Sequence, residues 1–154
     1  MKNLIWKLVL PMTIISIVTL TKWWYVLPVD APETLMKGFP LPFVCPGWHT
    51  SLSLQIFITD FLIDIFVFFM FWFVVVFCID RFLTKIIIHK IMTVMLLTIT
   101  GLITAGTIIV ATNQDNIFYT IKPWRMDVLE TGYKFIWQSP QVSPNFNLND
   151  KSEK

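Results

Sequence analysis

Four side chains in this sequence stand at spacings that invite chemistry. Asp60 and Asp64 lie in the apolar run from Ser51 to Ile79, and Cys45 and His49 come just before it. The aspartates are one helical turn apart, so a helix puts both on one face. A carboxylate in hydrocarbon costs about 2–3 kcal/mol on insertion scales, and groups of this kind mark proton or ion pathways in membrane proteins. Protonation of one acid, a cation or basic side chain held between them, or a tilt toward headgroups would each lower that cost. The pair therefore reads either as a proton or cation site or as an interfacial helix start facing a protein neighbour.

Cys45 and His49 have the residue types of a thiol nucleophile and its base, or of two zinc ligands. Zinc wants three or four rigid ligands, and the spacing matches no family signature, so neither a catalytic nor a metal set is assigned. Bis-histidine haem is excluded, because His49 and His89 fall at opposite ends of the expected second span. There is no phosphate-binding glycine loop, nucleophile elbow or HExxH motif. The expectation is a non-enzymatic protein without cofactor.

Composition sets the surroundings of these residues. The 154 residues are 55% hydrophobic and 14% charged, with a mean hydropathy of +0.66. Soluble domains average about 25% charged. The net charge of +2 is spread out and alternates with no aromatic stripe, which argues against nucleic acid as a partner. Cys45 and Cys78 lie at opposite ends of one apolar run, too far apart for a disulfide.

A bilayer core of about 30 Å asks for roughly 20 apolar residues in a helix, and backbone satisfaction in lipid favours helix over an open sheet. Three stretches qualify as spans: about 5–25, 52–79 and 88–112. The first ends in Lys22-Trp-Trp-Tyr25, which reads as an aromatic belt at the membrane–water interface. No small-x-small cleavage site follows it, so it is expected to be retained, with a kink at Pro11. The third carries Gly101 and Ala105 in small-xxx-small spacing beside a threonine stripe, a face suited to packing on span one, span two or another protein. Residues 1–112 then form a three-helix transmembrane domain, and 113–154 an extramembrane tail.

Between spans one and two, residues 26–50 hold five prolines and two glycines. This predicts an irregular loop lying on the membrane or bundle, with at most a helical turn over 30–36. The Gly38-Phe-Pro-Leu-Pro42 segment resembles loops of small bacterial membrane proteins and implies no activity. In the tail, 121–138 reads as an interfacial amphipathic helix, or by alternation as a short strand over 133–137. The last residues have a disordered composition.

The fold class expected is thus an all-α membrane protein of three transmembrane helices, with a proline- and aromatic-rich outer loop and a partly ordered tail. Lys2, Lys7, Arg81, Lys85 and Lys90 cluster near the N-terminus and the second connector. The positive-inside rule puts these in the cytoplasm and the tail outside, in a multi-pass protein of the cell membrane. Its expected partners are the lipid bilayer and other membrane proteins or copies of itself. Two functions follow: an accessory or assembly component, or a proton or cation pathway using Asp60 and Asp64. A membrane-surface enzyme using Cys45 and His49 is the weaker third.

Overall fold

The computed structural model describes residues 2–28, 33–47, 50, 52–86, 89–123 and 125–135. Helix α1 (2–19) leads into β1 (Leu20–Pro28), β2 (Thr34–Lys37), β3 (Val44–Pro46) and β4 (Leu54–Phe57). Helices α2 (Ile58–Leu83) and α3 (Lys90–Ala111) follow, then β5 (Ile117–Tyr119) and β6 (Met126–Phe135). The strands form one six-stranded mixed sheet in the order β5-β4-β3-β2-β1-β6.

The all-α expectation is therefore overturned: the chain is mixed α/β. Lys22-Trp-Trp-Tyr25 is not the end of a span but the middle of β1, and α1 stops at Thr19. Aromatic and β-branched side chains favour strands wherever a partner strand is present, and β1 has two. It pairs antiparallel with β2 on one side and with β6 on the other. The helical turn expected over 30–36 is replaced at Thr34–Lys37 by β2. The prolines are accommodated outside the ladder interior: Pro28 and Pro46 end β1 and β3, and Pro40 and Pro42 sit in the β2–β3 loop, as strand chemistry requires. In the tail, the strand alternative is closer than the amphipathic helix, but β6 is longer than expected, because β1 offers it a nine-residue register from Leu20↔Phe135 to Pro28↔Met126.

β5 and β6 occupy opposite edges of the sheet, yet six residues, 120–125, connect them. Crossing five strand spacings on a flat sheet takes about 24 Å. A link of this length reaches that only when fully extended, at about 3.3–3.6 Å per residue, and this one is bent at Thr120, Ile121 and Pro123. The sheet must curl, and its concave face shows it. Val26, Met36, Cys45 and Phe57, from four different strands, form one buried cluster, with Trp24, Tyr119 and Met126 packed against it. On the other face, Trp23 lies over Gly132, its register partner on β6. A Cβ at Gly132 would stand 2.6 Å from the indole, so no larger residue fits.

The helices lie at one end of this sheet. In α1 the turn Ile5–Val9 is widened, with the Leu10 N–H bonding Ile5 O. Pro11 explains it: its ring crowds the carbonyl four residues back, that of Lys7, and a π-type turn relieves the clash. α1 packs on both α2 and α3, while α2 and α3 scarcely touch each other. The Trp72 indole N–H donates to Ser16 Oγ at 2.8 Å, joining α2 to α1. Of the most apolar window of α2, 17% is buried, and of α3, 6%.

Gly132→Ala is expected to push Trp23 off β6. Overpacking of this kind costs about 1–3 kcal/mol, read as a lower thermal midpoint in detergent. An unchanged midpoint would mean that the indole has room to move aside.

Candidate functional site

The first turns of α2 are where the sheet, the β2–β3 loop and the helices meet. The loop runs Gly38-Phe39-Pro40-Leu41-Pro42-Phe43, and its two prolines have no N–H to satisfy. Four donors remain. Gly38 N donates to Lys22 O at 3.0 Å and Phe43 N to Lys37 O at 3.0 Å. Phe39 N donates to Asp64 Oδ2 at 2.7 Å and Leu41 N to Asp64 Oδ1 at 3.0 Å. Each carboxylate oxygen takes one bond, and Asp64 is 0% exposed. Gly38 makes the approach possible. Its φ is +148°, and a Cβ there would lie 2.1 Å from Leu41 O.

Ring contacts fix the same loop above and below Asp64. Phe43 meets Phe61 with centroids 5.1 Å apart, and Phe39 meets Phe68 at 5.8 Å. Phe61, Asp64 and Phe68 recur at helical spacing, so one stripe of α2 carries the whole loop.

Asp60 has a different partner. Lys122 Nζ, from the 120–125 link, stands 2.7 Å from Asp60 Oδ2 and 5.5 Å from the Phe57 ring. One residue earlier, Thr59 N donates to Thr120 O at 3.3 Å, and the Thr59 hydroxyl donates to the same carbonyl. The start of α2 is thus tied to the link that curls the sheet. The two aspartates do lie one turn apart, but each answers to a separate segment: Asp60 to a lysine, Asp64 to backbone amides.

Cys45 is 3% exposed, inside the curled sheet and paired in register with Gln55. Burial pushes its thiol up to about 11, with Lys122 pulling weakly the other way. A thiol so placed is not a thiolate at neutral pH, which is the form a nucleophile or metal ligand needs. His49 lies outside the described residues. Among the described residues, no three His, Cys, Asp or Glu side chains stand together to hold a metal.

No family model, curated protein or solved structure matches the chain. The geometry must therefore carry the functional reading by itself.

Gly101 and Ala105 are exposed on α3, and nothing stands within 4 Å of a Cβ built at Gly101. Within one chain their face is open. Beside them, the hydroxyls of Thr104 and Thr107 bond back to Thr100 O and Ile103 O, leaving their methyls outward. Lys122, Phe39, Leu41 and the Ser16–Trp72 pair were not singled out in the sequence. For the loop a signal existed: alternate prolines at 40 and 42 leave few amides, and a single carboxylate can satisfy two of them.

Asp64→Asn keeps the shape but turns one acceptor into a donor, so either the Phe39 or the Leu41 amide is left facing an N–H. The expected cost is about 1–3 kcal/mol, seen as a lower thermal midpoint and faster proteolysis within 38–43. Asp60→Asn, on a pair still touched by solvent, is expected to cost about 1 kcal/mol or less. Equal effects would show that Asp64 does not hold the loop.

Cys45 gives a second test. In a Cys78→Ala background, maleimide at neutral pH should leave the native protein unlabelled and label it fully after denaturation. The folded thiol keeps its proton to higher pH than the unfolded one, so Cys45 contributes stability that is complete below about 9 and is lost as pH rises toward about 11. Rapid native labelling would place Cys45 at a surface.

Proposed function

We propose that this is a small integral membrane protein in which three helices anchor a curled β-domain on one side of the bilayer, and that it serves as a non-enzymatic accessory or assembly component. The exposure of the two long helices carries this reading. α2 and α3 run 26 and 22 residues with window hydropathies of 2.8 and 2.2, yet only 17% and 6% of those windows are buried in the fold. A soluble core helix of such composition would be covered; these present Phe66, Phe71, Leu102 and Ile109 outward. Lipid is the medium in which an apolar helix surface of this extent is stable.

The connections support an up-down-up threading. α1, α2 and α3 alternate in direction, and all six strands leave from the end marked by Thr19, Ile58 and Ala111. Arg81, Lys85 and Lys90 lie at the other end, which the positive-inside rule assigns to the cytoplasm of a cell membrane. α1 is shorter: its apolar run Ile5–Thr19 covers about 22 Å at 1.5 Å per residue, so it crosses where the bilayer thins to meet it.

The partners within the chain support a structural role for the acids over ion passage. Asp60 is paired to Lys122 and Asp64 to two amides, which leaves neither facing an open path. For catalysis, Cys45 is protonated and enclosed.

The test is accessibility in sealed vesicles after alkaline carbonate washing. In the Cys78→Ala background, a cysteine at Asp127 in β6 and one at Leu83 are expected to react with impermeant maleimide from opposite faces. Release by carbonate, or labelling of both from one face, would overturn the reading. Co-purification in mild detergent then reports the partner.

A further inference from the structure

Because α2 and α3 scarcely touch, an apolar groove opens between them. Its lower part, about 300 Å³, is floored by Ile14 and Ile17 of α1 and walled by Phe69 and Thr104. Its upper part, about 360 Å³, continues past the helix ends along the outer sheet face, against Val44, Ile56 and Phe118. Phe61 and Thr107 line both parts, so the two adjoin at these side chains. The threonine hydroxyls bond to helix carbonyls, so their methyls are what the groove meets.

Two features select an occupant. The first is length. From Ile58 to Phe69 is about 16 Å along α2 at 1.5 Å per residue, and half of a bilayer core is about 15 Å. The second is charge. Lys37 pairs in register with Val44, so its exposed side chain stands on the sheet face that walls the groove, beside its upper part. An apolar groove whose helix-walled part is one leaflet deep, with an ammonium beside its upper part, is complementary to a single anionic amphiphile. The sheet wall adds what ordinary lipid contact does not explain: apolar surface continued above the helices, where a bilayer offers headgroups and water.

We propose that this groove holds one acyl chain of an anionic phospholipid from the leaflet on the β-domain's side, with its phosphate at Lys37. The proposal rests on the membrane reading above.

The experiment uses the full chain in phosphatidylcholine vesicles doped with a phosphatidylglycerol that carries a mid-chain diazirine. Photolysis is expected to label peptides containing Phe61 and Thr107 above the rest of the chain. Thr107→Phe, which fills the groove, should lower that labelling several-fold. Leu97→Phe, on the exposed face of α3, should leave it unchanged. Lys37→Gln should remove the preference for phosphatidylglycerol over an equally tagged phosphatidylcholine. Protection of Cys45 from maleimide confirms that each variant is folded. Labelling spread evenly over the outward face of α3 and indifferent to Thr107→Phe would overturn the proposal and leave the membrane reading standing. Cross-links between copies at Phe61 and Thr107, in place of lipid adducts, would also overturn it, in favour of a second chain. Release of the protein by carbonate would overturn both readings.

Discussion

A buried carboxylate bonded to two backbone amides is the joint on which the two halves of this molecule turn. Asp64 belongs to the helical part, and Phe39 and Leu41 belong to the loop between β2 and β3. Irregular backbone beside an apolar helix is costly wherever its amides go unpaired. The loop reduces the problem with two prolines, and the four donors that remain each find an acceptor. Irregular backbone beside an apolar helix is tolerated when it is buried in protein and satisfied in this way. The arrangement also accounts for an acid inside an apolar helix without invoking transport.

The second tie is the link from β5 to β6. Bent at Thr120, Ile121 and Pro123, it does not reach across a flat sheet, so the sheet curls and encloses Cys45 and Phe57. On the way the link drops Lys122 onto Asp60 and Thr120 onto Thr59. Both aspartates therefore act at one place, the emergence of α2 from the sheet, but they restrain different segments. Loss of either tie would free its own segment, the β5–β6 link or the β2–β3 loop, from α2. Loss of the Asp64 tie would in addition expose amides that have no other partner.

Part of this was legible in the sequence. The long apolar runs of α2 and α3 were visible because hydropathy over 20 residues is a local property. So was the one-turn spacing of Asp60 and Asp64. The sheet was not, because its signal is non-local. Lys22-Trp-Trp-Tyr25 is chemically the same whether it meets headgroups or a neighbouring strand, and its partner on the far side, β6, lies about a hundred residues away. Strands of three or four residues, such as β3 and β5, show too little alternation to stand out from a proline-rich loop. The carboxylate–amide joint was hidden for the same reason, since backbone donors leave no mark on residue identity. Only the Pro-x-Pro spacing hinted at it.

The first turns of α2 have the end of α1 and the proline loop as neighbours. Ser16 and Trp72 are level, fixed by their hydrogen bond, and the two helices run antiparallel. Counting along both from that point, Leu4 falls level with Thr84, and the two do line one hollow at the far end. At the other end the last turns of α1 reach the first turns of α2, where Ile17 and Val18 line one hollow with Phe61 and Ile65. They cover one side of those turns, and the side that carries Asp64 is left to the loop. That is the side the loop covers, with Phe43 on Phe61, two amides on Asp64 and Phe39 on Phe68. The acid sits where the packing partner changes from helix to loop. It is needed because helix presents side chains to its neighbour, whereas loop also presents unpaired backbone.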